Sequence, residues 1–350
     1  MSKYIYCITQ DLSEYLFQYR QPRHVSEIAS INHTGKYMFF FKELLILGFL
    51  QFSDSLSKDK VYIDINAKIS SLQKQFIEIM LLRQRGTNLC FIVKDILGQR
   101  MFLKIFLHSG IDEKSSFAKK MSIIEKLQDS DYFLKLLHYD IESMFYVIQY
   151  FEGKNLEEIC FTMSINTKIE IINQIVRSVA FLHSRNIVHG DLHLGQFLLS
   201  NDGKLKMIDY DMVADITDNN LFPYMGATCE YIEPESLSRN PFILLHKHDL
   251  NFKAEIYRLG VLIYTIVYGN PPFHELTWGM LYKSKLKREI RFETIDNNGN
   301  LIPSVLVSIM KRCLLKCPKK RFSSACEIIP YLNSIDFEHR NENDSPWCMR

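Results

Sequence analysis

Short strand-like segments come first along this chain, and long helical segments follow them. The early segments, residues 91–94, 100–106 and 146–150, are rich in Phe, Ile, Val and Tyr, which predicts β-strands. From residue 166 the apolar positions recur at steps of three and four, which predicts a helix with one buried face. These positions are Ile169, Ile172, Val176, Val179 and Leu182. A second buried helix is predicted over residues 255–268, and the order of strands before helices predicts an α+β fold in two lobes.

Charge and cysteine content narrow the class of protein. The net charge of +2 over 350 residues is lower than that of a domain which grips nucleic acid through its phosphates. Nucleic acid is therefore not expected as a partner. The cysteines form no C-x-x-C pair, which disfavours structural zinc and predicts reduced thiols in a cytoplasmic, intracellular protein.

The first 75 residues differ in texture from the rest. A short helix from Val25, a polar turn, an apolar helix ending at Gly48 and a hairpin-like segment follow one another. This order resembles a winged-helix module, but its second helix offers only Lys36 and Lys42 as cations. We therefore expect a module that packs or docks a protein partner rather than one that reads DNA. Its apolar stretch, residues 37–52, is too short to span a bilayer, and no signal-peptide pattern precedes it.

Two carboxylates follow short apolar runs in the centre of the chain. Asp191 lies just after the helix predicted from residue 166, and Asp209 follows eighteen residues later. The pair suits phosphate transfer, in which one carboxylate orients a hydroxyl and takes its proton while the other holds magnesium against the phosphates. Taken alone, Asp191 reads equally as a residue at a helix exit and Asp209 as a turn residue.

With their neighbours, these segments resemble the eukaryotic-type protein kinase family from about residue 85 to residue 335. His189-Gly-Asp191 is similar to the family's H-R-D, and residues 209–211 (D-Y-D) are similar to its D-F-G. The resemblance implies that Asp191 is the catalytic base, that Asp209 is the main magnesium ligand and that Gln196 replaces a metal-binding Asn. It also implies a β-rich lobe and a helical lobe within a domain at residues 76–335, followed by a polar tail at residues 336–350.

The same resemblance implies an ATP site. Lys104 matches the lysine that contacts the α and β phosphates, although alone it reads as a solvated lysine at a strand edge. Residues 147–150 match the hinge that reads adenine, with Ile148 as the gatekeeper. The other residues implied to line the site are Gln149, Tyr150, Leu198 and Gly86.

Landmarks late in the chain strengthen the resemblance. Residues 228–235 (T-C-E-Y-I-E-P-E) are similar to the family's T-P-E-Y-x-A-P-E, and residues 255–260 to its D-x-W-S-L-G. Residues 313–321 resemble C-L-x-x-D-P-x-x-R, which implies an ion pair between Arg321 and Glu235. Thr228 stands where Ser/Thr-type kinases carry a threonine.

Several positions depart from the family pattern. Gly86 is the one glycine in the place of the Gly-rich phosphate loop, which predicts a weaker phosphate cradle. No glutamate can be assigned to pair with Lys104, because Lys119 and Lys120 lie nearest the expected place. Gln196 keeps the amide oxygen that a metal needs but is one methylene longer than Asn, which suggests manganese as well as magnesium.

Two departures lie in the catalytic loop itself. Gly190 removes the arginine that would bind a phosphorylated activation loop, so an active enzyme should not depend on that switch. His193 occupies the position of the family's catalytic-loop lysine. It either contacts the transferred phosphate or faces solvent.

Three functions stay open at this point. The first is a Ser/Thr-type protein kinase, with ATP and a protein as its substrates. The second is a pseudokinase that binds nucleotide or acts as a scaffold, and the third is a kinase of a sugar, lipid or small metabolite. The sequence H-G-D-L-H also occurs in the aminoglycoside phosphotransferase group, but that group lacks the segment at residues 228–235, which favours a protein substrate.

Overall fold

The computed structural model describes residues 76–85, 88–106, 111–218, 228–237 and 251–335. The predicted N-terminal module, Gly86 and the predicted tail lie outside these residues. Those that are described fall into two compact units, residues 76–122 with 135–150 and residues 123–134 with 151–335. The first is built on a sheet and the second on helices, so the predicted α+β fold with a β-rich lobe and a helical lobe is confirmed.

The sheet unit contains strands β1 (Glu78–Arg85), β2 (Asn88–Lys94), β3 (Arg100–Phe106), β4 (Leu136–Asp140) and β5 (Phe145–Gln149). They form an antiparallel sheet in the order β1-β2-β3-β5-β4, and helix α1 (Ile111–Glu125) follows β3. Gly98, with a φ of +78°, makes the turn between β2 and β3, where a left-handed residue is needed. The buried side chains of the sheet include Leu89, Phe91, Val93, Leu103, Ile105 and Val147.

The helical unit contains helices α2 (Leu156–Ile159), α3 (Ile165–Ser184), α4 (Phe252–Tyr268), α5 (Trp278–Lys287), α6 (Ser304–Cys313) and α7 (Ile329–Asn333). Helix α3 begins after Ser164, whose hydroxyl oxygen accepts the amide hydrogen of Thr167 at 3.2 Å as an N-cap. The apolar stripe of α3 is 0–3% exposed, which confirms the predicted buried face. None of the helices that the structure describes is long and apolar enough to cross a membrane.

Two small sheets in the helical unit carry the loops of the candidate site. Strands β6 (Lys154–Asn155), β8 (Phe197–Leu199) and β9 (Leu205–Met207) form one, and β7 (Ile187–Val188) pairs with β10 (Ala214–Asp215) in the other. Asp191 follows β7, Gln196 precedes β8 and Asp209 follows β9. The strand ends therefore set the positions of all three residues.

Candidate functional site

A buried carboxylate on helix α4 holds the backbone just before Asp191. Glu255 Oε1 accepts the amide hydrogens of His189 at 2.6 Å and of Gly190 at 3.1 Å. Burial raises the pKa of Glu255, but the hydrogen bonds that its carboxylate accepts, chiefly from His183 and also from the amide of Gly190, outweigh burial and lower the pKa. The carboxylate therefore stays ionised at neutral pH and keeps accepting both amides.

His183 is a packed core residue, 4% exposed. Its Nδ1 accepts the amide hydrogen of Ala325 at 3.0 Å, so Nε2 carries the proton and donates it to Glu255 at 2.9 Å. The ring stacks on Phe252 with centroids 4.2 Å apart. His183 thus supports Glu255 and has no direct contact with Asp191.

The conformation of Gly190 explains why the family's arginine is absent from this loop. Its φ is +83°, and a Cβ there would lie 2.3 Å from the carbonyl oxygen of Met212, which no side chain could tolerate without a shift of the backbone. The Gly190 carbonyl oxygen accepts a hydrogen bond from Nη1 of Arg258 on α4. Arg258 also pairs with Glu233 at 2.9 Å, a contact that our sequence analysis missed. The sequence did contain a signal for this contact. Arg258 replaces Ser and Glu233 replaces Ala in the family motifs, and the two replacements carry opposite charges.

The predicted base, Asp191, lies against Thr228. Its Oδ1 is 3.3 Å from the amide nitrogen of Thr228 and 3.5 Å from the threonine hydroxyl, and its side chain is 25% exposed. Both contacts are long for hydrogen bonds, so the carboxylate keeps the capacity to accept a proton from a bound hydroxyl.

His193 does not face solvent, because its side chain is only 12% exposed. Its Nδ1 accepts the amide hydrogen of Gly195 at 3.1 Å, so a neutral ring carries its proton on Nε2. Burial lowers the pKa of His193, against the opposing charge of Asp191, and the neutral form prevails at pH 7. Nε2 lies 3.0 Å from the side-chain nitrogen of Gln196. Two N–H groups do not hydrogen-bond to each other, so a proton on His193 Nε2 requires the Gln196 amide to turn its oxygen toward the ring.

Asp209 lies in a left-handed turn directly after β9. Its φ of +65° is uncommon outside glycine, although Asp tolerates it better than most residues. The buried Tyr210 pins the turn, because its hydroxyl donates to the last carbonyl of β9 at 3.1 Å and accepts the amide hydrogen of Leu134 at 2.9 Å. The amide of Ile208 donates to the Gln196 carbonyl at 2.8 Å. The two predicted metal ligands are therefore on turns that are tied together.

The donor types at this place fit a hard divalent cation. Asp209 offers a carboxylate and Gln196 an amide oxygen, both of which magnesium and manganese accept. Among the described residues no group of three or more His, Cys, Asp or Glu side chains converges, so phosphate and water oxygens would have to complete the coordination. Asp209 fits by its donor type. Gln196 fits once its amide oxygen is released by His193.

The predicted phosphate-contacting lysine belongs to the sheet unit. Lys104 lies on the middle strand β3 opposite Cys90 and Tyr146, and it is 3% exposed. A solvated lysine at a strand edge is therefore ruled out. Its Nζ is 5.7 Å from the centroid of the Phe106 ring, and Nζ of Lys120 is 4.9 Å from the same centroid.

The predicted adenine-site residues are divided between the two units. Ile148 on β5 is 3% exposed, and the amide of Gln149 donates to the carbonyl of Lys135 at 2.8 Å. Tyr150 follows, with the guanidinium of Arg100 5.9 Å from its ring centroid. Leu198 lies on β8 in the helical unit. The structure thus brings Asp191, His193, Gln196 and Asp209 together in one unit and carries Lys104 and the hinge residues in the other.

A buried lysine holds the segment that follows Thr228. Lys285 on α5 donates to the carbonyl oxygens of Cys229 at 3.1 Å, Glu230 at 2.7 Å and Ile232 at 2.5 Å. Burial lowers its pKa to about 7, although the carboxylate of Glu233 raises it. Its ammonium form has three hydrogens for three carbonyls. Loss of one proton therefore removes one of these three hydrogen bonds.

Comparison with known proteins agrees with this geometry. Residues 89–331 match the sequence profile of the protein kinase domain. The chain is 24% identical to the serine/threonine-protein kinase MPS1 of Saccharomyces cerevisiae, over 77% of this chain and 37% of that protein. It is 24% identical to the cell cycle serine/threonine-protein kinase CDC5/MSD2 of the same organism, over 65% of this chain and 33% of that protein.

A mouse protein shows a similar likeness. The chain is 25% identical to the serine/threonine-protein kinase PLK2 of Mus musculus, over 57% of this chain and 30% of that protein. The matched regions are between 30% and 37% of the length of these three relatives. The likeness is therefore to one part of each of them.

Proposed function

This chain belongs to the protein kinase domain family, and we propose that it is an active Ser/Thr protein kinase that transfers the γ-phosphate of ATP to a hydroxyl group of a protein. The observation that carries the proposal is the contact of Asp191 with Thr228. This contact sets the partly exposed carboxylate of Asp191 beside Thr228, the residue that is typical of Ser/Thr-type kinases. The acceptor hydroxyl is expected to lie next to both. The names of the three relatives, all serine/threonine-protein kinases, support the same acceptor.

In the proposed reaction, the acceptor hydroxyl lies against Asp191. Its oxygen forms a bond to the γ-phosphorus while the bond from that phosphorus to the bridging oxygen of ADP breaks, and Asp191 accepts the hydroxyl proton. Asp209 and Gln196 would hold a magnesium or manganese ion, which would supply neutralisation of the phosphate charge. Lys104 contacts the α and β phosphates. His193 acts on Gln196, which it orients, rather than on the phosphate.

The nucleotide site and the flanking segments complete the proposal. Ile148 is the gatekeeper, Gln149 and Tyr150 read adenine through their backbone, Leu198 floors the pocket and Gly86 supplies the phosphate loop. Residues 1–75 form a separate module that docks a protein partner, ahead of the kinase domain at residues 76–335 and a polar tail at residues 336–350. Limited proteolysis that cuts near residue 75 and leaves transfer intact would support that division, whereas inactivation by this cut would contradict it.

A nucleotide-binding pseudokinase is the second candidate. The observation that favours it is the contact of His193 Nε2 with the side-chain amide of Gln196, because an amide oxygen turned toward the ring is not available to the metal. Its expected signature is binding of ATP without transfer.

Transfer of labelled phosphate to different acceptors separates the candidates. The protein is incubated with labelled ATP and magnesium or manganese, together with generic protein substrates or a panel of sugars and small metabolites. We expect label on serine and threonine side chains of protein. Label on small molecules alone would move the proposal to the metabolite kinases. A thermal shift with ATP but no label on any acceptor would favour the pseudokinase.

A further inference from the structure

Arg258 connects two loops that meet at Asp191. It lies on helix α4 and is 2% exposed. Its Nη1 donates to the carbonyl oxygen of Gly190, the residue before Asp191. Its Nε and Nη2 donate to Glu233 Oε2 at 2.9 Å and Oε1 at 3.2 Å. One guanidinium group thus contacts the loop of the proposed base and the segment that begins at Thr228.

The partner carboxylate is held as firmly as the arginine. Glu233 is 0% exposed, and its Oε1 also accepts the hydroxyl hydrogen of Ser236 at 2.5 Å. Burial alone raises the pKa of Glu233, but the charge and hydrogen bonds of Arg258 outweigh burial and lower it. The pair is therefore ionised at neutral pH, and its two-point geometry fixes orientation as well as distance.

The positions of Arg258 and Glu233 in the family motifs indicate what the ion pair does. Arg258 stands where the D-x-W-S-L-G motif has Ser, and Glu233 stands where the A-P-E motif has Ala. Gly190 stands where H-R-D has the arginine that would bind a phosphorylated activation loop, and a side chain at this position would require a shift of the Met212 backbone. The cation absent from the loop is thus supplied by helix α4. Its anionic partner is a carboxylate of the chain instead of an added phosphate.

We propose that Arg258 is a positioning residue which, with Glu233, holds the Asp191 loop and the Thr228 segment in the transfer-competent arrangement without phosphorylation of the chain. The inference rests on the proposed kinase function. Both residues belong to the chain itself, so the ion pair forms when the chain folds and needs no added phosphate. Carboxylate and phosphate both accept two parallel hydrogen bonds from a guanidinium group, and a fixed carboxylate makes the pairing independent of any modifying enzyme.

The test replaces the pair by the residues of the family motifs. Arg258→Ser with Glu233→Ala removes both charges together, so no buried charge is left without a partner. Arg258→Lys is the second variant, because it keeps the charge and loses the two-point geometry. Lys168→Met with Asp296→Asn is the matched control, since it likewise removes both charges of a fully buried ion pair, at 2.9 Å, whose residues lie outside the segments 189–191 and 228–237. Each protein is compared at equal folded fraction.

Two readouts separate positioning from stability. We expect the double variant to lose about 100-fold in kcat, as misplacement of reacting groups by about 1 Å does, with the KM for ATP changed less than about threefold. Amide hydrogen exchange at residues 189–191 and 228–237 should accelerate. Arg258→Lys should show the same changes in smaller degree, and Lys168→Met with Asp296→Asn should show neither. Wild-type protein treated with a phosphatase should keep its kcat.

Opposite outcomes overturn the inference. A double variant with wild-type kcat and wild-type exchange would show that the pair only stabilises the fold, and loss of transfer after phosphatase treatment would show that phosphorylation is required. If the double variant does not fold, Arg258→Lys with wild-type kcat and exchange would refute positioning. If the wild type transfers no phosphate, the proposed function fails, and exchange at the two segments alone decides whether Arg258 positions them.

Discussion

Arg321→Ala is expected to lower the free energy of unfolding by about 4 kcal/mol. The side chain of Arg321 is fully buried, and each N–H group of its guanidinium donates one hydrogen bond. It donates to Glu235 Oε1 at 2.6 Å and Oε2 at 2.7 Å, and to the carbonyl oxygens of Leu315 at 2.7 Å, Lys253 at 2.9 Å and Lys316 at 3.2 Å. The ion pair predicted from the sequence is therefore present, with the arginine end buried and Glu235 29% exposed.

The magnitude follows from what the substitution leaves behind. Removal of one partner from a buried ion pair costs about 3–5 kcal/mol, and a buried carbonyl left without a donor costs about 1–3 kcal/mol. Water reaches the exposed part of Glu235, which reduces the first contribution, while the abandoned carbonyls add to it. We therefore expect a loss near the middle of the range. Arg321→Lys keeps the charge without the fork of donors, so its loss should be about 2 kcal/mol.

Urea denaturation measures these losses from the midpoint and slope of each curve. Lys316→Ala is the control, because Lys316 pairs with Glu289 at the surface, where the two side chains are 36% and 90% exposed. Such a pair contributes at most about 1 kcal/mol. An Arg321→Ala protein within about 1 kcal/mol of the wild type, or no less stable than the Lys316→Ala control, would refute the reasoning about burial.

Three further predictions concern the site. The pKa of Lys285 is lowered from 10.5 to about 7, so between these values the unfolded chain holds a proton that the folded chain lacks. Rising pH should therefore add up to about 1.4 kcal/mol of stability per pH unit, and denaturation curves of Lys285→Met should lack this slope. Equal slopes would refute the shift. Gln196→Asn should retain transfer and Gln196→Ala should lose most of it, with the wild type preferring manganese; equal activity of wild type and Gln196→Ala would remove the ligand role. Asp209→Asn should abolish transfer and weaken metal-dependent ATP binding, and calorimetry showing metal-independent ATP affinity in the wild type would contradict that role.

The helices and strands could be predicted because each has a recognisable apolar pattern within its own segment of the sequence. The steps of three and four from Ile169 to Leu182 appear in the structure as the buried face of α3, and the strand segments lie within β2, β3 and β5 or end one residue beyond. The pair Arg321–Glu235 was also predictable, because both residues belong to motifs with known partners. Prediction succeeded where one segment or one motif contains the whole signal.

The remaining features depend on contacts between distant parts of the chain. Arg258 and Glu233 are 25 residues apart. Neither segment alone indicates that the two residues form an ion pair or that Arg258 also donates to the carbonyl of Gly190. Lys285 has no sign of burial in its own segment, where Lys283 and Lys287 lie close by, yet its ammonium group is enclosed by three carbonyls. The tautomer of His193 follows from a hydrogen bond to Gly195 that only the folded loop shows.

The most direct test of the proposed kinase activity is incorporation of labelled phosphate from ATP by the wild type and by Asp191→Asn. Asp191→Asn keeps the size and most contacts of the side chain but cannot accept the hydroxyl proton. We expect the wild type to incorporate label with magnesium or manganese, and Asp191→Asn to bind ATP with the same affinity and incorporate label about 10²–10⁴-fold more slowly. Equal incorporation by both proteins, or none by the wild type with either metal, would contradict the account.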